Sequence, residues 1–94
     1  MTSYKLRFHE HALKEWRKLD PVVREQFKKK LAERLEEPRI SSAALSGMRD
    51  CNKIKLRAAD YRLVYRVEDD ILYVSVIAVG KREHLNAYAK AYRR

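Results

Sequence analysis

Cysteine and histidine are scarce in this 94-residue chain, which has a single cysteine, Cys51, and three histidines. One cysteine cannot form a disulfide within the chain. His9, His11 and His84 are scattered and show none of the short spacings typical of metal ligands. We therefore expect no metal and no cofactor. We also expect Cys51 to be a small residue at the start of a strand, with a reactive thiol as the alternative.

Long apolar runs are also missing. No run approaches the roughly 20 apolar residues that a helix needs to cross a bilayer. The polar first five residues do not resemble the apolar centre of a signal peptide. These two features predict a cytoplasmic protein that does not interact with membranes.

Acidic residues are outnumbered by basic ones, with 13 Asp and Glu against 22 Lys and Arg, and the formal net charge is +9. This excess favours a polyanionic partner, nucleic acid above all, although a merely soluble Lys-rich surface is the alternative. Apolar residues make up 46% of the chain and recur periodically, which is typical of a folded protein. The length suits one compact domain spanning residues 1–94.

The first part of the chain predicts a strand followed by two helices. Residues 4–8 alternate apolar and basic side chains, as a half-buried strand does. Residues 10–19 then change to a helical period. Asp20 and Pro21 supply an N-cap and a first helical residue for a second helix that runs to about residue 36. The apolar residues of these two helices are Ala12, Leu13, Trp16, Leu19, Val23, Phe27, Leu31 and Leu35.

The second part predicts three strands and a short helix. After Pro38, residues 39–50 have no sustained period and form a connector. Strands at about 53–57, 61–68 and 71–79 should form an antiparallel meander, and the last should be central because it is apolar on both faces. A helix over 84–92 should dock through one apolar stripe, and at this length it is a candidate for a movable segment. That stripe consists of Leu85, Tyr88, Ala89 and Tyr92. The fold class is α+β, with a four-stranded antiparallel sheet packed against two N-terminal helices and a short C-terminal helix.

Basic side chains recur on alternate positions of the predicted strands. Alternation directs Ile54 and Leu56 into the core, and it places three basic residues together on the opposite face. If Arg62 and Arg66 of the next strand share that face, a cationic patch crosses the sheet with Asp60 as its nearby acid. Like charges side by side destabilise a sheet, so the pattern suggests a bound anion. An ordinary polar face is the alternative. The three basic residues are Lys53, Lys55 and Arg57.

Four stretches, residues 13–19, 51–57, 61–65 and 79–83, resemble the RelE toxins and, more loosely, the wider RelE/ParE superfamily. The resemblance covers nearly the whole chain and agrees with the predicted order of elements. It implies an endoribonuclease that cleaves messenger RNA in the ribosomal A site and is neutralised by a RelB-like antitoxin. It also implies a monomeric free toxin that contacts operator DNA only within the toxin–antitoxin complex.

The resemblance also implies which residues are catalytic and which bind RNA. Tyr92 remains a possible substitute for Tyr88, because the segment before Tyr88 is less like that of the family. The run of three lysines in the second helix is either a solvated face or a contact to ribosomal RNA. The catalytic set is Lys53, Lys55, Arg62, Arg82 and Tyr88. Further RNA-binding residues are Arg57, Arg66, Lys81, Lys28, Lys29 and Lys30.

Such a set predicts attack of an RNA 2′-hydroxyl on the adjacent phosphate, which needs a base, charge stabilisation and a proton donor to the leaving 5′-oxygen. Clustered cations could lower the pKa of a lysine far enough for proton exchange. We assign Lys55 or Tyr88 as the base, Lys53 and Arg62 as charge stabilisers, and Arg82 as stabiliser or donor. The histidines are expected to be surface or capping groups. The alternatives are a ParE-like toxin that binds DNA gyrase without nuclease activity, and a basic nucleic-acid-binding module without catalysis.

Overall fold

The computed structural model describes residues 3–57, 59–81 and 86–94. These residues form an α+β fold, as predicted. Its strands are β1 (Lys5–Phe8), β2 (Cys51–Leu56), β3 (Tyr61–Glu68) and β4 (Tyr73–Lys81). Its α-helices are α1 (Glu10–Arg17), α2 (Pro21–Glu36) and α3 (Asn86–Arg93), and a short 3-10 helix spans Ser41–Ala43.

The sheet has the strand order β1-β4-β3-β2. The predicted antiparallel meander of β2, β3 and β4 is confirmed. The first strand, however, is parallel to β4, with Lys5 opposite Tyr73 and Phe8 opposite Val76. The sheet is therefore mixed rather than wholly antiparallel. Parallel neighbours need a long crossover connection, and the segment that contains α1, α2, β2 and β3 provides it.

Local capping groups begin both N-terminal helices. The ring Nδ1 of His9 accepts a hydrogen bond from the His11 amide at 3.2 Å, so the predicted capping role of this histidine is confirmed. The Asp20 carboxylate accepts from the Val22 amide at 2.9 Å, and Pro21 is the first helical residue. Helix α1 ends at Arg17, two residues earlier than predicted, because the next amides bond in tighter turns.

The larger of two apolar clusters lies between the sheet and the N-terminal helices. Trp16 joins two other aromatic rings in it, with its ring centroid 5.1 Å from that of Phe8 and 6.3 Å from that of Phe27. The buried members are Ala12, Trp16, Leu19, Val23, Phe27, Leu31, Ile54, Leu56, Leu63, Tyr65, Val67, Val74, Val76 and Val79. The predicted helical stripes therefore face this cluster, except for Leu13, which is only partly buried and does not belong to it.

The smaller apolar cluster lies on the opposite face, under α3. Both Ile77 and Ala78 belong to it because a β-bulge shifts the register of β4 against β3 at this point. Strand β4 is thus covered on both faces, as predicted. The predicted stripe of the last helix was partly wrong: Tyr92 is 75% exposed and Ala89 is exposed as well, whereas Ala91 is buried at 3%. The buried members are Cys51, Val64, Ile77, Ala78 and Ala91, with Leu45, Met48 and Tyr88 packed against them.

Both bounds of β2 and of β4 differ from the prediction. Strand β2 begins at Cys51 and ends before Arg57, and β4 is shifted two residues towards the C-terminus. Ile71 and Leu72 therefore lie in a turn, 50% and 39% exposed, and Leu72 has a φ of 57° in the left-handed region that reverses the chain. The predicted connector holds the short 3-10 helix. No helix within the described residues is long and apolar enough to cross a membrane.

Candidate functional site

Basic residues meet across β2 and β3 on the face that carries the smaller cluster. In the antiparallel register Lys55 is opposite Arg62, Lys53 is opposite Val64, and Cys51 is opposite Arg66. Directly opposed side chains project from the same face. The structure thus places the two rows of basic residues on one face, the condition that alternation alone had left open. We call Lys53, Lys55, Arg62 and Arg66 the basic row.

Arg62 is the most constrained member of the basic row. Its side chain is only 8% exposed. One guanidinium nitrogen donates to the Tyr61 carbonyl at 3.0 Å, and the same nitrogen lies 4.0 Å from a carboxylate oxygen of Asp60. Asp60 has a φ of 57°, so the hairpin turn is tight and brings its carboxylate back towards Arg62. A cation that is largely removed from water and opposed to a lysine is costly to keep, which supports a site built for an anion.

The backbone of β2 is anchored from the opposite face by a network that the sequence did not reveal. The guanidinium of Arg34 donates to the Lys53 carbonyl at 3.2 Å and to the Tyr65 hydroxyl at 2.8 Å. That hydroxyl donates to the Pro38 carbonyl at 2.6 Å. Burial raises the pKa of Tyr65, against the opposing effect of Arg34. The network fixes the strand segment from which Lys53 projects.

A second row of polar side chains crosses all four strands. Arg7 is opposite Ser75, Ser75 is opposite Arg66, and Arg66 is opposite Cys51. The Glu68 carboxylate accepts from Ser75 at 2.5 Å and from Arg7 at 2.6 Å. The hydrogen bond from Ser75 and then that from Arg7 hold the pKa of Glu68 below its ordinary value. This end of the face is therefore balanced by an acid.

Cys51 behaves as the small buried residue that was predicted at the start of a strand. It begins β2 and is 4% exposed. Burial raises the pKa of its thiol, although Arg66 acts in the opposite direction. A thiol that stays protonated is a poor nucleophile. The reactive-thiol alternative therefore loses its support.

Helix α3 places Tyr88 on the same face as the basic row. Tyr88 packs against the smaller cluster, which contains Val64, the residue opposite Lys53. It is thus the aromatic side chain of α3 that approaches the sheet. The exposed Tyr92, considered as its substitute, turns away from the apolar cluster. Arg82, together with His84 and Leu85, lies outside the described residues.

Several of the predicted RNA-binding residues do not join the basic row. Arg57 lies in the turn after β2. Lys81 belongs to the opposite face, where its Nζ lies 5.9 Å from the ring centroid of Tyr61, a residue packed on the larger cluster. The exposed lysines of α2 also lie on that side, since α2 packs on the larger cluster. Strand alternation accounts for the position of Lys81, and the packing of α2 accounts for that of its lysines. These lysines are Lys28, Lys29 and Lys30, and the first lies 3.5 Å from Glu25.

Metal-binding geometry is not found in the part of the chain that the structure describes. No group of three or more His, Cys, Asp and Glu side chains there is arranged to hold a metal ion.

Comparison with known proteins identifies the family. Residues 6–86 match the family described as the ParE toxin of type II toxin–antitoxin systems. The chain is also 59% identical, over 92 residues that cover 98% of it and 97% of its relative, to the mRNA interferase toxin RelE of Escherichia coli K12. This chain belongs to the RelE toxin family. The predicted family is therefore confirmed.

Solved structures agree with the fold of this RelE-family chain. A mutant of E. coli RelE in the free state superposes with a TM-score of 0.92 at 57% identity, covering 99% of this chain and 98% of that one. The toxin in the intact E. coli RelBE toxin–antitoxin complex superposes with a TM-score of 0.82 at 62% identity, covering 84% and 96%. The predicted fold class is thus confirmed.

Proposed function

We propose that this chain is an mRNA interferase, an endoribonuclease toxin that cleaves messenger RNA and is neutralised by a cognate antitoxin. The 59% identity to a protein of that name over nearly the whole of both chains carries the proposal. The basic row, with a largely buried arginine opposite a lysine, supplies a matching chemistry. The toxin of the RelBE complex is similar in fold and sequence, which supports a RelB-like antitoxin as partner.

The reaction is attack of a 2′-hydroxyl on its adjacent phosphate, so that the bond to the leaving 5′-oxygen breaks. Lys55 or Tyr88 takes the proton of the 2′-hydroxyl, and Lys53 and Arg62 stabilise the more negative phosphorane. Arg82 acts, by resemblance to the family, as a further stabiliser or as proton donor to the 5′-oxygen. DNA lacks the nucleophile, and selectivity for RNA follows from the mechanism.

The restraint on Arg62 favours its role as charge stabiliser. Its guanidinium is held by the Tyr61 carbonyl and approached by Asp60, so little reorganisation is needed when charge develops on the phosphate. Preorganised donors in a partly dry site are typically worth about 10²–10³ in rate. An exposed Lys55 directly opposite is accessible to the RNA backbone.

The ribosome is proposed as the place of cleavage, with the messenger RNA presented in the A site. The basic row lies on the face of a sheet. Cleavage there depends on another body, here the ribosome, to position the RNA against these residues. The net charge of +9 suits a surface made of ribosomal RNA, and the basic residues of α2 and Lys81 are available for such contacts on the other face. A cytoplasmic location, a monomeric free toxin and operator binding through the toxin–antitoxin complex complete the proposal.

The test compares cleavage of messenger RNA on programmed ribosomes with cleavage of the same RNA alone. Arg62→Gln and Lys55→Met should each lower the rate on ribosomes by about 10²–10³. Lys14→Met removes the same charge as Lys55→Met from an exposed position on α1 and should retain the rate. Circular dichroism verifies folding of each variant. An equal loss of cleavage rate in all three variants would show that the rate depends on net charge alone, and it would refute the assigned site.

The alternative, a toxin that binds DNA gyrase, is kept because the matching family is described as the ParE toxin. It predicts inhibition of gyrase supercoiling by the purified chain and no cleavage of ribosome-bound RNA. Cleavage together with unaffected supercoiling would exclude it.

A further inference from the structure

The outer edge of β4 is only partly covered by β1. The paired stretch ends with Phe8 opposite Val76, and the His9 amide donates to the Val76 carbonyl at 2.8 Å. Beyond Val76, two side chains form hydrogen bonds with the backbone of β4. The carbonyl of Ile77 accepts from the Arg94 guanidinium at 2.7 Å, and the amide of Val79 donates to the Glu15 carboxylate at 3.2 Å. Here side chains satisfy a strand edge in place of another strand.

The same two side chains form a two-pronged ion pair. One guanidinium nitrogen of Arg94 lies 2.9 Å from a Glu15 carboxylate oxygen, and the other lies 3.3 Å from the second oxygen. The side chains are only 14% and 17% exposed. The pairing joins α1 to the residue that follows α3, across 79 positions of sequence. Bidentate arginine–carboxylate pairs fix orientation as well as distance.

Apolar docking of α3 is modest by comparison. Among its side chains that the structure describes, Ala91 is buried and Tyr88 is partly buried, while Tyr92 is exposed. A helix of eight residues is not stable by itself. Among the described side chains of α3, a methyl group and part of a phenol bury little area, so the polar contacts at its end add substantially to its docking.

We propose that Glu15 and Arg94 are positioning residues, whose ion pair on the edge of β4 holds α3 against the sheet and thereby fixes Tyr88 beside the basic row. The inference rests on the proposed function insofar as Tyr88 takes part in cleavage. The anchoring of α3 does not depend on that function, because it follows from the contacts of Arg94 with both Glu15 and Ile77.

Hydrogen exchange on the free chain tests the first half of the proposal. Arg94→Ala should speed exchange of the amides of residues 90–93 by about tenfold or more, since local opening tracks the free energy lost there. Amides in the centre of β3 should keep their protection. Arg94→Lys, which retains one charge contact but not the fork, should give an intermediate value. Arg93→Ala is the matched control, because it removes an exposed arginine next to Arg94.

Cleavage on ribosomes tests the second half. Arg94→Ala and Glu15→Gln should lower kcat with little change in KM, in parallel with Tyr88→Phe, and Arg94→Lys should restore part of the loss. Arg93→Ala should retain kcat. Unchanged exchange of α3 in Arg94→Ala would overturn the proposal. Faster exchange with an unchanged kcat, while Tyr88→Phe is impaired, would overturn the positioning of Tyr88. Absence of cleavage by the unaltered chain would instead refute the proposed function, and exchange would still decide whether the ion pair holds α3.

Discussion

The two faces of the sheet are held together in different ways. Under α1 and α2, large side chains such as Trp16, Phe27 and Tyr65 fill a continuous apolar cluster. Under α3 the apolar cluster is smaller, with five buried residues in the described part of the chain that include Ile77 and Ala91, and polar side chains complete the surface. One face thus supplies most of the apolar burial that stabilises the fold.

This division allows the other face to carry charge. Lys55 lies directly opposite the largely buried Arg62, and repulsion between two like charges at such positions destabilises a sheet. The fold tolerates it because the free energy gained in the larger cluster does not depend on the opposite face. Functional sites often depart from the local rules of stability in this way. Variants on the two faces should therefore separate stability from activity.

The largest expected effect on stability lies in the larger cluster. Phe27 is fully buried at 0% exposure, and its replacement by alanine should lower the free energy of unfolding by about 3–5 kcal/mol. Denaturant titration followed by circular dichroism measures it. Val22→Ala, on the same helix at 65% exposure, should change stability very little. A loss below about 1 kcal/mol for Phe27→Ala would contradict the assignment of stability to this face.

A smaller effect is expected where the two faces are linked. Arg34→Met keeps the apolar stem of the side chain but removes the donors to the Tyr65 hydroxyl and the Lys53 carbonyl. The cost should be about 1–3 kcal/mol, since partly buried acceptors lose their partners. Cleavage should also fall, because the strand that presents Lys53 loses an anchor. Full activity at reduced stability would show that the network serves the fold alone.

The smallest effect concerns the acid on the α3 face. The folded-state pKa of Glu68 is depressed, through Ser75 first and then Arg7. Its stabilising contribution is therefore present above the unfolded pKa, near 4.5, and is lost as the pH falls through the lower folded value. Glu68→Gln should be less stable by about 0.2–1 kcal/mol at neutral pH. The difference should vanish in acid. Thermal unfolding from pH 7 downwards measures it, and a difference that persists at the acid end would contradict the linkage.

Local patterns predicted the elements well. The pair Asp20 and Pro21 fixed the start of α2, and alternation predicted that Lys53 and Lys55 share a face. Each of these depends on residues a few positions apart, which contact one another in any helix or strand. The family followed from stretches spread over the chain and was confirmed.

Other features depended on residues that are distant in sequence. The sequence did not predict that β1 is parallel to β4, or that a bulge next to Val64 turns both Ile77 and Ala78 to one face. It also assigned Lys81 to the RNA-binding residues without showing that it faces the larger cluster. Register and bulges are set by the assembled sheet, since shifting a strand by one residue exchanges its two faces.

By itself the sequence determined the helices, the alternation of the strands, the excess of positive charge and the family, because each of these is encoded in neighbouring residues or in overall composition. The tertiary structure alone decided that Arg62 is buried opposite Lys55, that Arg34 anchors the strand of Lys53, and that Glu15 meets Arg94 at the edge of β4. Those contacts join residues from 7 to 79 positions apart. Their geometry exists only once the sheet has formed and the helices have packed on it.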